Sequence, residues 1–316
     1  MLGLIATRLG QALAAALLVG LLVTAAASLL PGEPAILILG PRASPELALR
    51  LNHELGLDRP LWLQGRDFAL GALRGDLGRD FWQDIPVSRL VAQALPHTLA
   101  LALAGLGLAA LVGIPLGALC AWRRGDRLDR TVQLMAAMSY SLPSYVVALL
   151  LLLLFAARLR WLPATGSGEG EGLLSALRHL ALPAATLAIG WTGYLARLVR
   201  EQVGGSLDSD YVRRARAFGV PDRRLLLHHA LRPALAPIVA LLGVGLGSLL
   251  GGAVFVEVIF SRPGLGRLIY EAIADRNYPV LRGGVFVAAL LYVLCNLVAE
   301  LALAALDPRQ RADASR

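Results

Sequence analysis

The chain has 316 residues, of which 57% are hydrophobic and only 16% charged, and a soluble domain of this composition would expose too much apolar surface. The net charge is +8 and every basic residue is an arginine. The chain therefore lacks the lysine that a phosphate-binding loop of the G-x-x-x-x-G-K-[ST] type requires. The arginines lie between apolar runs rather than along a soluble basic face, which argues against nucleic-acid binding.

The first apolar run covers residues 9–30 and carries no charge. It is long enough to cross a hydrocarbon core of about 30 Å. A cleaved signal peptide is the alternative, because Arg8 precedes the run and the small residues at 25–28 resemble a cleavage site. The run is longer than the apolar region of such a peptide, so we expect residues 1–30 to form an N-terminal helix and the first span.

Further along the chain, residues 31–96 form a polar segment, and residues 97–316 form a membrane core with a polar loop at 200–233. The core contains five further apolar runs that are long enough to span a membrane. They lie at about 97–122, 132–157, 180–199, 234–260 and 284–306. The sequence therefore predicts an all-α polytopic membrane protein with six transmembrane helices.

The placement of the arginines predicts the orientation of these spans. Arg123, Arg124, Arg127 and Arg130 lie in one very short loop, and short arginine-rich loops belong on the cytoplasmic side. The same rule is weak for long exported segments such as 31–96. We expect both termini to lie inside the cell and residues 31–96 to lie outside.

Glycine and proline occur in every span after the first, notably in residues 113–117 and 243–252 and at Pro143, Pro183 and Pro237. Small residues allow close approach of helix backbones in lipid. For any single glycine, simple packing is a sufficient explanation. Together, these residues indicate a bundle of helices that can move against each other.

The loop 200–233 is predicted to contain a short helix at 210–218. Ser209 or Asp208 can cap its start, Gly219 stands where a left-handed C-cap residue belongs, and Pro221 prevents continuation. Its apolar residues recur at helical spacing and its arginines surround them. The apolar set is Tyr211, Ala215 and Phe218, and the basic set is Arg213, Arg214 and Arg216. Such a helix can lie on lipid headgroups or dock into a partner protein.

At this loop the sequence resembles bacterial ABC-importer permeases. Residues 210–219 (DYVRRARAFG) and 229–232 (HALR) are similar to the general motif E-A-A-x3-G-x9-I-x-L-P, which Ala215, Gly219 and Leu231 match. Arg213 and His229 depart from the general form and resemble its peptide-and-nickel branch. Arg214 and Arg232 also depart from the general form, and His228 stands where that branch usually has an arginine.

Several other segments carry the same resemblance along nearly the whole chain. They are 30–34 (LPGEP), 55–61 (LGLDRPL), 74–79 (RGDLGR), 113–117 (GIPLG), 141–144 (SLPS), 260–267 (FSRPGLGR) and 306–309 (LDPR). The chain is identified on these segments as a member of the dipeptide, oligopeptide and nickel branch of ABC-importer permeases. The resemblance implies the type I importer permease fold with a cytoplasmic coupling helix, in the bacterial inner membrane.

The family resemblance also implies the partners. A homologous second permease, two ATPase subunits that bind ATP and Mg²⁺, and an external substrate-binding protein are expected around this chain. The loop would insert its helix into the ATPase. Carried onto this sequence, the coupling residues are Tyr211, Arg213, Arg214, Ala215, Arg216, Ala217, Phe218, Gly219, His229 and Leu231. The segment 31–96 would either receive the binding protein or cover the bundle as a lid.

Candidate pathway or gate residues are Ser141, Pro143, Glu257, Pro263 and Gly264. Glu257 is included because a charged group in a span usually avoids lipid. The resemblance implies import of di- or oligopeptides, with nickel, glutathione or another small solute as alternatives. The alternatives without transport are a membrane scaffold and an intramembrane enzyme.

Chemistry within the chain itself is not expected. No nucleophile with a base and no paired carboxylates occur within the spans, so we predict no catalytic residue. Cys120 and Cys295 are far apart in apolar stretches and the histidines show no metal-ligand spacing. We therefore expect no disulfide framework and no metal site.

Overall fold

A computed structural model of the chain describes residues 2–28, 44–54 and 58–306. Regular secondary structure within these ranges is helical, apart from one isolated bridge between Arg79 and Pro86. The α-helices are α1 Leu2–Ser28, α2 Pro45–Glu54, α3 Leu61–Leu73, α4 Val87–Trp122, α5 Arg127–Ser141, α6 Ser144–Leu151, α7 Leu173–Leu207, α8 Asp210–Ala217, α9 Asp222–Arg224, α10 Arg232–Ile259, α11 Leu265–Ala274 and α12 Tyr278–Leu306. Two π-helical segments, Leu152–Arg158 and Leu225–Leu231, follow α6 and α9. The all-α prediction is confirmed.

Some predicted features lie outside the described residues, namely the segment 30–34, residues 55–57 of the segment 55–61, and residues 307–309 at the end of the closing segment. The chain divides into two compact units. The first comprises Met1–Thr98 and Pro263–Leu294, and the second Leu99–Arg262 and Cys295–Arg316. The three-part organisation predicted from the sequence divides the chain by membrane location and stays a prediction.

Four helical stretches in the described residues are long and apolar enough to cross a membrane: Val87–Trp122, Leu173–Leu207, Asp222–Ile259 and Tyr278–Ala302. A fifth candidate is the broken pair α5 and α6 with its π-helical continuation. Helix α1 carries a shorter apolar stretch at Gly10–Ala26. The total of six spans and the orientation of the termini stay predictions.

The structure places a break within the span predicted at 132–157. Helix α5 ends at Ser141, α6 begins at Ser144, and the two run at 102° to each other. Leu142 has an extended backbone (φ −83°, ψ 127°), as expected for a residue that precedes a proline. Pro143 thus divides this predicted span into two helices.

Close backbone approach between α4 and α7 depends on glycines within the second unit. A Cβ atom at Gly117 would lie 2.5 Å from the carbonyl oxygen of Ala196, and one at Gly113 would lie 3.0 Å from that of Thr192. Side chains at these positions would force the helices apart. The predicted packing role of the glycines in residues 113–117 is thereby confirmed.

A buried ion pair joins α5 to α7. Arg200 donates hydrogen bonds from Nε and Nη2 to the two carboxylate oxygens of Asp129, at 2.5 and 2.7 Å. The Asp129 side chain is only 3% exposed and that of Arg200 is 26% exposed. The backbone N–H of Gly125 donates to Asp129 as well. Each carboxylate oxygen therefore has a donor, as a buried charge requires.

The first unit has its own apolar core. Buried side chains from α1, α3, α4, α11 and α12 meet there, and they include Ala16, Phe68, Val91, Leu265 and Phe286. The rings of Phe68 and Phe286 pack edge to face with centroids 5.8 Å apart. The part of segment 31–96 from Leu61 onward therefore belongs to a packed unit rather than to a loose connector.

A polar contact anchors this core as well. The carboxylate of Asp80 accepts hydrogen bonds from the side-chain amide of Asn277 at 2.7 Å and from the backbone N–H of Trp82 at 2.6 Å. Both Asp80 and Asn277 are buried. The residue that follows the RGDLGR segment and the residue that precedes α12 are thereby held together.

We predict that Arg200→Ala lowers the melting temperature of the purified protein in detergent by several degrees. Removing one partner of a buried pair leaves the other charge uncompensated and typically costs about 3–5 kcal/mol. The control is Arg124→Ala, which removes the ion pair with Asp208 at 3.0 Å, whose side chains are 57% and 73% exposed. Exposed pairs contribute about 0–1 kcal/mol. Equal shifts for the two variants, measured by thermal unfolding, would contradict this prediction.

Candidate coupling loop and membrane cavity

The loop helix α8 begins after Ser209, whose backbone is extended (φ −71°, ψ 151°), and runs from Asp210 to Ala217. Ser209 is the N-cap residue by backbone geometry but makes no side-chain cap hydrogen bond. The helix was predicted to run one residue further, to Phe218. Phe218 is instead the C-cap residue, and Gly219 follows with φ +80°. The left-handed conformation predicted for Gly219 is confirmed, and its N–H donates to the carbonyl of Arg216 at 3.0 Å.

Val212 is the residue of α8 that is buried in the chain, with an exposure of 1%. The predicted apolar stripe faces elsewhere: Tyr211 is 45% exposed and Phe218 is 87% exposed. Ala215 is half-buried and Ala217 is exposed. The stripe is thus left uncovered by the chain itself. Sequence analysis missed Val212 because one valine among polar neighbours gives a weaker signal than the spaced aromatic residues.

Two arginines of α8 contact neighbouring parts of the chain. The guanidinium of Arg216 lies 5.7 Å from the ring centroid of Trp122 at the end of α4, within reach of a cation–π interaction. Arg213 donates to the backbone carbonyl of Asp208 at 3.1 Å and lies 3.6 Å from the Asp210 carboxylate. Arg214 is exposed.

The phenol of Tyr211 donates a hydrogen bond to the backbone carbonyl of His229. In an α-helix the N–H four residues later, that of residue 233, would donate to this carbonyl. Residue 233 is a proline and has no N–H. The hydroxyl of Tyr211 therefore donates to a carbonyl whose usual α-helical donor is missing at Pro233.

His229 and Leu231 lie in the π-helical segment that leads into α10. His229 is half-buried, with its Nδ1 atom 3.2 Å from the carbonyl oxygen of Arg224. Leu231 packs against a buried cluster formed by Ala230, Val199, Val203 and neighbouring residues. The predicted coupling residues thus occupy two adjoining helical segments joined by the Tyr211 hydrogen bond.

A cavity of about 410 Å³ opens within the second unit. Its walls come from both sides of the break at Pro143, from α7 and from α10. The residues that line it include Ser139, Leu142, Ser144, Val147, Thr186, Leu187, Gly190, Trp191, Tyr194, Leu241, Val244, Ser248, Leu249 and Gly252. Sequence analysis singled out the SLPS segment next to this cavity but not the facing residues of α7 and α10.

The candidate pathway residues lie in two stretches of the chain, one at the break between α5 and α6 and the other at the end of α10 and the turn that follows it. Ser141 and Pro143 flank the lining residue Leu142 and are exposed, and the Ser141 hydroxyl donates to the carbonyl of Ala137. Pro263 is exposed, and Gly264 is the buried residue that precedes α11. These four residues do not line the cavity itself.

Glu257 was predicted to face the pathway, but the structure places it inside the chain with an exposure of 0%. It is not among the residues that line the cavity. Its backbone carbonyl accepts from the N–H of Arg262 at 2.8 Å, and Arg262 is itself only 5% exposed. Two buried charged residues, joined by a backbone hydrogen bond, therefore stand at the end of α10 and in the turn after it.

Metal-ligating side chains do not gather anywhere in the described residues. No three His, Cys, Asp or Glu side chains in that part of the chain lie close enough to hold an ion. Cys120 and Cys295 are buried free thiols.

Comparisons with known proteins identify relatives along nearly the whole chain. The chain is 39% identical over 314 residues to a Brucella abortus protein named as a peptide transport system permease, covering 99% of this chain and 100% of the relative. It is 36% identical to a Sinorhizobium fredii protein named as a peptide ABC transporter permease, over 96% and 97% of the two chains. It is 34% identical to the dipeptide transport system permease protein of Escherichia coli K12, over 98% and 99%.

Solved structures show the same fold. A chain of the MetNI methionine ABC transporter in an inward-facing conformation matches with a TM-score of 0.59 at 19% identity, over 69% of this chain and 96% of that chain. An amino acid ABC transporter matches with a TM-score of 0.51 at 18% identity, over 70% and 94%. The fold is therefore that of an ABC-importer permease.

The family model described as binding-protein-dependent transport system inner membrane component matches residues 113–312, which is more than half of the chain. This range contains the loop helix, the π-helical segment and all the residues that line the cavity. The chain therefore belongs to the family of binding-protein-dependent transport system inner membrane components, which are multi-pass proteins of the bacterial inner membrane.

Proposed function

We propose that this chain is the transmembrane permease subunit of an ATP-driven importer that takes up di- or oligopeptides delivered by an external binding protein. The observation that carries this proposal is the identity of 34–39% over nearly the full length of relatives named as peptide or dipeptide permeases. In this proposal the chain forms half of the translocation pathway and pairs with a homologous permease. The relatives do not favour nickel, glutathione, a scaffold or an intramembrane enzyme.

The energy for transport comes from partner subunits in this proposal. The chain has no lysine for a phosphate-binding loop, so two ATPase subunits would hold ATP and Mg²⁺. Binding of ATP would draw these subunits together and hydrolysis would release them. The permease would respond mechanically, by moving between inward-facing and outward-facing arrangements, and would carry out no covalent chemistry.

The coupling site of this proposal is the loop helix α8 together with Gly219, His229 and Leu231. Phe218 supports this coupling site most directly. Its large apolar side chain is 87% exposed, and covering it with a partner would lower the free energy of the complex. Val212, the buried residue of α8, packs this helix against the chain, which fixes the direction in which Phe218 and Tyr211 project. We infer that a groove on the ATPase receives these two aromatic side chains.

The pathway of this proposal runs past the helix break at Pro143. Ser141 and Pro143 flank a lining residue of the cavity, which supports their assignment to its rim. The complete burial of Glu257 beside Arg262 supports a different role for this carboxylate: it would hold the turn at 261–264, with Pro263 and Gly264, in place as part of a gate.

The first test is reconstitution of this chain in proteoliposomes with the permease, ATPases and binding protein encoded beside it. We expect ATP-dependent uptake of labelled dipeptides and co-purification of the ATPases from detergent. A stable complex that hydrolyses ATP but takes up no peptide would overturn the assignment of peptides as the substrate. Absence of any ATPase partner would overturn the proposal that the chain belongs to an ATP-driven importer.

We predict that Phe218→Ala lowers the affinity of the permease for the ATPase by about 10- to 100-fold, since burial of such a side chain contributes about 1.5–3 kcal/mol. Peptide uptake should fall accordingly while the protein still inserts into the membrane. The measurement is co-purification of the ATPase over a range of concentrations. The control is Phe218→Leu, which keeps an apolar anchor and should retain most of the binding. If α8 instead rests on lipid headgroups, ATPase binding will be unchanged in both variants.

A second prediction concerns Gly219. Gly219 and Gly125 both have positive φ (80° and 90°), and a Cβ atom at either would meet nothing within 4 Å in the chain. Asparagine tolerates this conformation, so Gly219→Asn and Gly125→Asn should fold equally well. We expect only Gly219→Asn to reduce ATP-dependent uptake, by at least about 10-fold, because its side chain stands on the docking surface. Equal uptake by the two variants would contradict the assignment of Gly219 to the docking surface.

A further inference from the structure

The cavity at the break between α5 and α6 has a lining that mixes polar and apolar side chains. Five hydroxyl groups, those of Ser139, Ser144, Thr186, Tyr194 and Ser248, share its walls with Trp191 and aliphatic side chains, and none of its lining residues is charged. A second groove of about 350 Å³ in the same unit is lined almost wholly by apolar residues such as Leu108, Val112 and Met135. That groove suits lipid chains, whereas the mixed lining of the cavity suits an occupant with polar groups.

The broken backbone beside the cavity supports the same conclusion. Non-helical backbone at membrane depth is tolerated where it is buried in protein or lines a cavity. Transporters commonly use such discontinuous helices to build substrate sites. Leu142 and Ser144 lie on either side of Pro143 and line the cavity, so the irregular backbone faces this space.

The chemistry of the walls defines the occupant. A volume of about 410 Å³ falls in the range of small-molecule sites, which is roughly 300–1,000 Å³. The rings of Trp191 and Tyr194 pack edge to face with centroids 5.7 Å apart, and aromatic walls favour aromatic or aliphatic groups. The charged ends of a peptide would find no counter-ion on these walls. Its apolar side chains would fit, and its amide N–H groups could donate to the hydroxyl oxygens, since the hydroxyls of Ser139 and Thr186 already donate to carbonyls of their own helices.

We propose that this cavity binds the apolar side chains of the transported peptide, so that the permease itself selects cargo by side-chain size. The inference rests on the proposed function and deepens it. Selection would then occur twice, once at the external binding protein and once within the membrane. Bulky apolar peptides would use the cavity, whereas peptides of glycine would pass without occupying it.

Two neighbouring glycines of α10 allow a matched test. Gly252 lines the cavity and Gly251 does not. A Cβ atom at either position would meet nothing within 4 Å, so the first atom of a larger side chain has space at both. Both glycines lie within α10, so the change in helix propensity is the same. Gly252→Leu therefore fills the cavity, and Gly251→Leu is its control.

The experiment measures uptake of labelled Phe-Phe and Gly-Gly into proteoliposomes that contain the whole transporter and its binding protein. We expect Gly252→Leu to reduce uptake of Phe-Phe at least 10-fold and that of Gly-Gly less than twofold. Gly251→Leu should change neither more than twofold. An equal loss for both peptides, or no loss for either, in Gly252→Leu would overturn the cavity as a selective site.

A second variant keeps the test decisive if Gly252→Leu does not assemble with the ATPases. Gly190→Val fills the cavity from α7, where a Cβ atom would lie 4.0 Å from the nearest atom, the carbonyl oxygen of Ser139. The same selective loss of Phe-Phe uptake is expected. Failure of the wild-type transporter to take up any peptide would overturn the proposed function, whereas wild-type uptake without size selection by either variant would overturn this inference alone.

Discussion

Hydrogen bonding of the backbone is the constraint on which the structure of this permease depends. Within a bilayer no water can satisfy a free carbonyl or N–H, so a spanning chain must be helical and each interruption needs a local solution. Pro183 and Pro237 remain inside continuous helices. Pro143, by contrast, ends one helix and begins another, and the break adjoins the cavity. The prolines thus set where the chain can depart from simple helical packing.

Glycine supplies the complementary property, which is close approach of backbones without a hydrophobic driving force. The glycines at 113 and 117 bring α4 within contact of the α7 backbone, and the Asp129–Arg200 pair joins α5 to the same helix. Helix α7 is therefore held on two sides by different means. It also contributes Trp191 and Tyr194 to the cavity, so their positions depend on these contacts.

The sequence predicted the helical class and the conformation of Gly219, because long apolar runs and a glycine before a proline have few alternative structures. The break at Pro143 was not predicted, since proline is tolerated in many membrane helices and Pro183, which also follows a leucine, stays inside a helix. The burial of Val212 and Glu257 depends on tertiary neighbours that are distant in sequence. For the same reason, the segment SLPS pointed to the cavity, but its facing residues on α7 and α10 could not be found from spacing alone.

The hydrogen bond from Tyr211 to the carbonyl of His229 connects the loop helix α8 to the π-helical segment that leads into α10. Displacement of α8 reaches α10 by two routes, along the covalent turn through Gly219 and Pro221 and directly across this bond. The absent N–H of Pro233 thus has a further consequence: it leaves a carbonyl just before a long apolar helix available to tie the loop helix to it.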